Sequence, residues 1–402
     1  MELIFDIFNY SITAILIGIA GAWVFLIKSM TDSFRFTPHL DKFENKSKTT
    51  PKVSIILPAR NEEEFISKCL DSLIEQDYPN YEIIVINDSS DDSTGKIISE
   101  YAKKNSKIIP VTAKPKPEGW MGKNWACMEG YNKATGELLL FTDADTTHSK
   151  NVISLAASHL ISFELDALSA IPKMLTFDFW TKVTLPMIST FLHTRFSALN
   201  VNDPSKKIGY FFGSFFIIKN ETYKNVGMHE GVRGEIIEDG ALGKKVKEAG
   251  YKMKMVRGEH LIDAVWARDK GTLWNALKRL MIPLYLQNGK IAIGIFFAVL
   301  FLLFVPFPVL ASSVLLPSET MSSKILCVSA AISSILIYIG AIIEVKVGLG
   351  LRGIYAVFAP LGSLVVILGF LSGLIQAKDS ASITWRGRSY SMKDHTQNSI
   401  NV

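Results

Sequence analysis

Long stretches without a charged residue constrain this chain more than any other feature. The 21 residues between Asp6 and Lys28 carry no charge, and about 20 apolar residues in a helix are enough to cross the hydrocarbon core of a bilayer. Three further charge-free stretches follow Lys290, over residues 291–318, 325–343 and 353–377. The sequence therefore predicts one membrane-spanning helix near the N-terminus and about three near the C-terminus, with Pro306 and Pro308 kinking the first of those three.

The charged residues beside the first stretch predict how the chain is oriented. The segment before it carries Glu2 and Asp6 but no basic residue, so we interpret the stretch as a retained anchor rather than a cleaved signal peptide. Basic residues instead follow it closely: Lys28, Arg35, Lys42, Lys46 and Lys48. Because loops rich in Lys and Arg stay in the cytoplasm, we expect a multi-pass protein of the cell membrane whose large polar domain is cytoplasmic.

The C-terminal tail makes the number of crossings ambiguous. Three crossings after the polar domain would place the C-terminus outside, whereas basic residues in the tail favour the cytoplasm. Those residues are Lys378, Arg386, Arg388 and Lys393. Either one of the three C-terminal segments is re-entrant or the tail departs from the rule, and the sequence leaves both open.

Charge and composition argue against a nucleic-acid-binding protein and against a transporter. The net charge of +5 over 402 residues is too small to argue for a nucleic-acid partner, and the charge-free segments lack the intramembrane ionisable groups typical of transporters. We expect an N-terminal anchor at 1–30, a linker at 31–50, an α/β domain at 51–285, a transmembrane block at 286–377 and a basic tail at 378–402.

The polar domain alternates apolar strands with helices. Apolar runs at 53–57, 81–86, 107–111 and 137–141 have the length and composition of buried strands, and helical spacing follows the first three. This alternation predicts an α/β fold with a Rossmann-like, mostly parallel sheet and helices on both faces. Ligands bind such sheets at the carboxyl ends of the strands, and most of the polar clusters in this chain lie there.

Carboxylates follow the strands of this predicted sheet. Asp143 and Asp145 come after the fourth strand, and two carboxylates at a strand end can hold a hard divalent cation. Asp88 follows the second strand, where it is either an acceptor for the edge of a base or a residue of an Asx-turn or N-cap. The segment at the end of the first strand contains Pro58, Ala59, Arg60 and Glu62.

Two predicted helices begin with charged groups. Lys123 lies in the segment 119–126, where glycines and a helix N-terminus favour an anion such as a diphosphate; the alternative is a solvated lysine at a helix start. Glu238 and Asp239 open a later helix. A carboxylate there is either a cap favoured by the helix dipole or a general base that takes a proton from an acceptor hydroxyl, and spacing alone does not decide between them.

Six motifs occur in an order that resembles family 2 glycosyltransferases with the GT-A fold. They are VSIILPARNE at 53–62, Tyr78-Pro79, NDSSDDST at 87–94, GWMGKNWA at 119–126, DAD at 143–145 and EDGALG at 238–243. The 119–126 variant, the hydrophobic C-terminal block and WRGRSY at 385–390 are similar to membrane glycosyltransferases that act on carotenoid acids or hopanoid-type lipids. The resemblance to the family covers roughly residues 50–280.

The resemblance implies an inverting hexosyltransferase that moves one sugar from a nucleotide-sugar, foremost a UDP-sugar, to a lipid-like or polyisoprenoid acceptor at the membrane. Asp88 would then bind the nucleobase, Asp143 would support the nucleotide, Asp145 would hold Mg²⁺ or Mn²⁺, and Asp239 would be the catalytic base. The other candidates for donor binding are Pro58, Ala59, Arg60, Glu62 and Lys123.

The resemblance is incomplete at two motifs. Asn87-Asp88 stands where many relatives have two aspartates, and the retained second aspartate is the candidate for the nucleobase. Processive polysaccharide synthases of this family carry Gln/Arg-x-x-Arg-Trp after the Glu-Asp motif, whereas residues 276–280 here keep only Arg279, so transfer of a single sugar is favoured over polymer synthesis. Three alternatives stay open: a polyisoprenyl-phosphate sugar transferase, a short polysaccharide synthase and a catalytically dead membrane scaffold.

Four further residues are weaker candidates for the site. Gly213, in the apolar run 208–218, is either a point of close approach to donor or acceptor or part of a tight strand. Arg268 either reaches a phosphate or lies at the membrane face, and His260 either contacts metal or diphosphate or is structural. Glu238 shares the two interpretations given for Asp239.

Overall fold

The computed structural model describes residues 2–43, 49–380 and 382–391. The chain divides into two compact units, each built from several segments. The helical unit comprises Met1–Phe36, Thr176–Ser197 and Ala267–Ser380, and the α/β unit comprises Thr37–Leu175, Ala198–Trp266 and Ala381–Val402. Residues 176–197 and 267–285, which the sequence analysis assigns to the α/β domain, thus fold with the helical unit.

The elements are numbered along the chain. Helices α1 to α14 are Glu2–Phe36, Ile66–Ile74, Thr94–Lys104, Gly122–Tyr131, Val152–Ser162, Phe179–Arg195, Ala198–Asn202, Asn220–Asn225, Glu238–Glu248, Lys270–Gln287, Gly289–Leu303, Pro306–Leu315, Met321–Ile343 and Ala359–Asp379. Strands β1 to β12 are Val53–Ala59, Tyr81–Asn87, Ile108–Thr112, Leu138–Phe141, Thr147–His148, Ala167–Ile171, Lys173–Leu175, Phe216–Lys219, Met253–Arg257, Ile262–Val265, Ser382–Trp385 and Arg388–Ser391.

A seven-stranded sheet forms the centre of the α/β unit, with the strand order β3-β2-β1-β4-β8-β6-β9. All neighbours in it are parallel except β8, which is antiparallel to both β4 and β6. Helices connect the first four strands, as the alternation of apolar runs predicts. The prediction of a mostly parallel α/β sheet is therefore confirmed.

Hydrophobic cores lie on both faces of this sheet. Ile55 and Leu57 of β1 belong to one core and Ile56 belongs to the other, and all three are fully buried. Successive residues of a strand point to opposite faces, so a strand that is covered on both faces must be apolar at every position. This explains the uninterrupted apolar runs seen in the sequence.

The strand register brings the polar loops to one edge. Ala59 at the end of β1 pairs with Asn87 at the end of β2, and Ile56 of β1 pairs with Phe141 at the end of β4. Because these three strands are parallel neighbours, the residues that follow them converge at the same edge of the sheet.

The C-terminal tail adds a small hairpin to the α/β unit. Strands β11 and β12 are antiparallel, and the turn between them consists of Arg386 and Gly387. Their φ angles are +49° and +74°, the left-handed pair that a two-residue type I′ turn requires. Gly387 adopts this conformation freely because it has no Cβ, and the turn presents Arg386 at the tip of the hairpin.

Three described helices in the helical unit are long and apolar enough to cross a membrane: Glu2–Phe36, Met321–Gly348 and Gly353–Asp379. Helices α11 and α12 form a fourth apolar segment that is bent by 45°. The bend lies where Pro306 begins α12, as predicted, because proline cannot donate the backbone hydrogen bond that a continuing helix needs.

Helices α1 and α13 pack side by side in the same direction. The Asn9 side chain donates to Ser322 Oγ at 3.1 Å near the start of both helices, and Ser333 Oγ donates to the carbonyl oxygen of Leu16 at 2.9 Å further along. Gly340 then lies against the Trp23 ring, where any larger residue would collide with it. Successive contacts involve later residues in both helices, so the two helices run parallel.

Helix α14 packs mainly on α6 and α10, which also belong to the helical unit. Gly362 lies against the backbone carbonyl of Val183 in α6, and Gly369 lies against Leu277 in α10. Small residues on α14 therefore allow close approach to both helices.

Candidate active site

Hydrogen bonds connect the loop after β1 to the loop after β2. The backbone N–H of Asn61 donates to Ser90 Oγ at 3.1 Å, and that of Glu62 donates to Thr94 Oγ1 at 2.7 Å. Arg60 Nη1 donates to the carbonyl oxygen of Asp88 at 2.6 Å. These bonds hold Glu62 and Asp88, two carboxylates from different strands, at the same edge of the sheet.

Lys123 is the centre of a first group of site residues, which we call the lysine cluster (Lys123, Gly213, Asp143, Glu238 and Asp239). Lys123 Nζ, at the start of α4, lies 2.7 Å from Asp143 Oδ1 and 2.7 Å from Glu238 Oε1. The backbone N–H of Gly213 donates to Asp239 Oδ2 at 2.6 Å. The start of α4, the end of β4 and the start of α9 thus meet around one lysine.

Burial and charge shift the pKa values in the lysine cluster. Burial alone would lower the pKa of Lys123, but Asp143, Glu238 and Asp239 outweigh it and raise that pKa well above its usual value, so the lysine stays charged. Burial, reinforced by the nearby Glu238, raises the pKa of Asp239 to about 7. Asp239 is therefore a carboxylate that can accept a proton near neutral pH.

Two arginines from the tail hairpin complete a second group, the arginine cluster (Glu62, Asp88, Asp145, Arg386 and Arg388). Arg386 Nη2 lies 2.6 Å from Glu62 Oε1 and 2.9 Å from Asp145 Oδ2. Arg388 Nη1 and Nη2 donate to the two carboxylate oxygens of Asp88 at 2.8 and 3.2 Å. Such paired contacts are the strongest geometry for a guanidinium and a carboxylate.

The same cluster fits a divalent cation. Carboxylate oxygens are the ligands that Mg²⁺ and Mn²⁺ take in proteins, and Glu62 and Asp145 supply them with side chains only 6% and 8% exposed. In this structure the guanidinium of Arg386 provides the positive charge that these buried carboxylates require. The donor set at Asp145 therefore suits a hard cation.

Most of the residues that the sequence singles out gather in these two clusters. Pro58 and Ala59 form the end of β1, and the Ala59 carbonyl accepts a hydrogen bond from the Asp88 N–H at 2.9 Å. His260 lies instead with His39 and Glu259, where one ligand atom from each residue falls within 4.8 Å of the others. Arg268 belongs to the helical unit, and its backbone N–H donates to Thr272 Oγ1 at 2.9 Å.

Sequence reasoning missed Arg386 and Arg388 as site residues. It noted the segment 385–390 as part of a resemblance and counted its arginines only as charges that orient the tail. The available signal was a pair of arginines on either side of a glycine, in a short segment just after the last apolar stretch.

The seven-stranded mixed sheet, with acidic residues at its carboxyl edge, is a GT-A-like α/β domain. The family described as glycosyl transferase family 2 matches residues 54–227. The chain thus carries a glycosyltransferase family 2 domain, as the resemblance implies.

Two of the curated proteins that are similar to this chain match parts of it. The probable glycosyltransferase YdaM of Bacillus subtilis is 35% identical over 150 residues, which is 35% of this chain and 36% of YdaM. The 4,4'-diaponeurosporenoate glycosyltransferase of Staphylococcus aureus is 29% identical over 209 residues, 51% of this chain and 54% of that protein. These alignments therefore span about a third and about half of the relatives' lengths.

Among solved structures, a mannosyltransferase is similar over most of the chain. It is the mannosyltransferase PcManGT from Pyrobaculum calidifontis in complex with GDP-Man and Mn²⁺, with a TM-score of 0.54 and 19% sequence identity. The likeness covers 88% of this chain and 99% of that one. It supports the GT-A fold of the α/β unit.

Proposed function

We propose that this chain is an inverting glycosyltransferase of the hexosyltransferase type. It transfers a single sugar from a nucleotide-sugar, with a UDP-sugar as the expected donor, to a lipid-like acceptor at a membrane. The catalytic segment corresponds to residues 51–285. The observation that carries this proposal is that Asp239, whose Oδ2 accepts a hydrogen bond from the Gly213 N–H, and Lys123, which pairs with Asp143 and Glu238, lie together at the carboxyl edge of the sheet.

Asp239 acts as the general base in this proposal. The hydroxyl of the acceptor attacks the anomeric carbon, the bond from that carbon to the diphosphate oxygen breaks, and the hydroxyl proton passes to the Asp239 carboxylate. The hydrogen bond from the Gly213 N–H to Asp239 Oδ2 supports this role, because it fixes the orientation of the carboxylate. Attack opposite to the leaving group inverts the anomeric configuration.

Positive charge near the leaving diphosphate supports the same reaction. The carboxylates around the partly buried Lys123 raise its pKa and keep it charged, and a positive charge fixed in a site stabilises the negative charge that develops on a leaving group. Asp145, with Asp143 beside it in sequence, would hold Mg²⁺ or Mn²⁺, and the bound cation would neutralise charge on the leaving diphosphate.

The helical unit supports an acceptor that is embedded in or bound to a membrane. Its long apolar helices have the length and composition of membrane spans. Side chains such as Leu3, Ile17 and Phe25 of α1 are more than half exposed, as suits a surface in contact with lipid tails. The carotenoid-type acceptor implied by the name of the Staphylococcus aureus relative is of the same lipid-like class.

The parallel packing of α1 and α13 supports a particular membrane topology. Helix α1 ends at Phe36 and the chain continues directly into the α/β unit, so α1 ends on the side of the membrane that holds this unit. Because α13 runs parallel to α1, it ends on the same side. The bent segment α11–α12 must then carry the chain to the opposite side before α13 begins.

The tail contacts support placing α14 along the membrane surface rather than across it. If α14 also crossed, Arg386 and Arg388 would lie on the opposite side from Asp145 and Asp88, with which they pair. We therefore assign three crossings, α1, α11–α12 and α13, and place the α/β unit and the tail together in the cytoplasm. The excess of basic residues after α1, around Arg352 and in the tail agrees with this arrangement.

Release of nucleoside diphosphate tests the proposed activity. The detergent-purified protein is offered a panel of UDP- and GDP-sugars with Mg²⁺ or Mn²⁺, with and without a total lipid extract. We expect one donor to be consumed, faster when lipid is present. Donor consumption that does not depend on lipid and yields a growing polymer would contradict single-sugar transfer, and no consumption of any donor would contradict the enzymatic function.

A further inference from the structure

The tail hairpin lies against the residues that the proposed function assigns to the nucleotide-sugar. Its contacts are ion pairs from Arg386 to Glu62 and Asp145 and from Arg388 to Asp88. These pairs join positions more than 240 residues apart in the chain. The hairpin thus places two positive charges among three largely buried carboxylates of one site. This arrangement indicates that the hairpin belongs to the site.

The hairpin backbone is held in place separately from its arginine side chains. Arg60 Nε donates to the carbonyl oxygen of Arg386 at 3.0 Å. Tyr390 is buried, and the Lys116 ammonium lies 6.0 Å from the centre of its ring. The hairpin can therefore stay in place while the guanidinium groups of Arg386 and Arg388 leave their carboxylates and bind another anion.

When a donor binds, the site needs additional positive charge to neutralise the diphosphate. The diphosphate of a nucleotide-sugar is anionic, and the positive charge of Lys123 near it is shared with Asp143 and Glu238. A divalent cation at Asp145 and Glu62 would compete for the same carboxylate oxygens that Arg386 contacts. Its binding would release the planar guanidinium, whose donors match phosphate oxygens well.

We propose that the tail hairpin is part of the donor site, and that Arg386 and Arg388 bind the diphosphate of the nucleotide-sugar. The inference rests on the proposed function, since it requires a nucleoside-diphosphate donor. Without donor the two arginines neutralise Glu62, Asp88 and Asp145; with donor and cation, Arg386 turns to the diphosphate. The opposite arrangement is a tail that blocks the site and must leave before the donor enters.

Equilibrium binding of nucleotides to the full-length protein tests this role. UDP and GDP are titrated with Mn²⁺ into wild type, Arg386→Ala, Arg388→Ala and Arg386→Lys, with Ser389→Ala as the control because Ser389 is exposed in the same hairpin. UMP and GMP are titrated in parallel because they lack the second phosphate.

We expect each alanine variant to bind the nucleoside diphosphate at least about tenfold more weakly, because the substitution removes a charge-assisted hydrogen bond. Arg386→Lys should fall in between, Ser389→Ala should match wild type, and binding of the monophosphates should change much less. Unchanged or tighter diphosphate binding in the alanine variants would overturn the proposal. Wild type that binds neither UDP nor GDP would overturn the proposed donor as well, which separates the two failures.

Hydrogen exchange of residues 382–391 gives a second readout that does not depend on activity. In wild type the hairpin should exchange more slowly once UDP or GDP and Mn²⁺ are bound, because the arginines then hold the ligand. Faster exchange on nucleotide binding would mean that the tail is displaced, and would overturn the proposal in favour of a blocking tail.

Discussion

The groups around Asp239 explain why we propose it as the general base. It lies in the first turn of α9, where a carboxylate is commonly a cap, but here Oδ2 accepts a hydrogen bond from Gly213 at 2.6 Å and the side chain faces Lys123 and Glu238. Burial and the second carboxylate make its proton affinity high enough for a base at neutral pH.

Replacing Asp239 by Asn should abolish transfer and leave donor binding nearly intact. The amide keeps the size of the side chain but cannot take the hydroxyl proton, so we expect the turnover rate to fall by about 10³-fold. Steady-state assays and nucleotide titrations measure both quantities, with Asp77→Asn, a change at an exposed aspartate outside both clusters, as the control. An equal loss of donor affinity would contradict the role of base.

The raised pKa of Asp239 predicts how activity depends on pH. Below a pH of about 7 the carboxyl is increasingly protonated and cannot act as a base. We expect kcat/KM to fall about tenfold per pH unit on the acid side of that value and to level off above it. A profile that stays flat down to pH 5 would contradict this assignment.

Asp145→Ala tests the proposed cation site. The change removes a carboxylate ligand, so donor binding that depends on Mg²⁺ or Mn²⁺ should weaken, while residual binding without added metal should change little. Titrations of nucleotide at several metal concentrations measure the effect. Metal dependence equal to that of wild type would contradict the assignment of Asp145.

Glycines at the start of α4 and before β8 make room for the site elements. A Cβ on Gly122 would lie 2.6 Å from Arg388 Nη1 and 2.9 Å from Asp88 Oδ2, and a Cβ on Gly213 would lie 2.8 Å from Asp239 Oδ2. All three distances are well below ordinary contact. The two glycines therefore permit α4, the tail hairpin and the residues of α9 to approach one another.

Gly122→Ala should disturb nucleotide binding more than folding. The added methyl group displaces Arg388 or Asp88, both of which can shift at the edge of the sheet, so we expect weaker binding of UDP or GDP and a melting temperature close to that of wild type. Gly18→Ala in α1 is a suitable control because its methyl group would meet nothing within 4 Å. Normal nucleotide binding by Gly122→Ala would contradict the packing described here.

Local sequence pattern could predict the strands, the helices and the edge at which the site lies. Runs such as 53–57 and 81–86 are apolar throughout because both faces of the sheet are covered, and polar residues follow them directly. The pattern could not predict that Arg386 meets Asp145, because that contact joins residues 241 positions apart.

At the scale of the whole molecule, the chain carries a glycosyltransferase family 2 domain and a separate helical unit, and the proposed topology follows from chain connectivity. Three crossings place the N-terminus and the α12–α13 loop outside, and they place the α13–α14 loop and the tail in the cytoplasm. In this proposal, three apolar C-terminal segments are compatible with a basic tail in the cytoplasm.

Labelling of single cysteines in intact cells tests this topology. In a variant without the native cysteines Cys69, Cys127 and Cys327, we introduce Glu319→Cys, Arg352→Cys and Ser389→Cys one at a time. A membrane-impermeant maleimide should label only the position in the α12–α13 loop, at Glu319. Labelling at Ser389 without labelling at Arg352 would mean that α14 crosses the membrane, and would contradict the assignment.

Transfer of labelled sugar into lipid is the most direct test of the central claim. The purified protein is given the radiolabelled donor that it consumes, a divalent cation and a total lipid extract, beside the Asp239→Asn variant, and the lipid fraction is analysed for label and product mass. The proposal predicts a lipid that carries one added sugar of inverted anomeric configuration, formed by wild type and not by the variant. Label in a polymer, or equal lipid labelling by the variant, would contradict it.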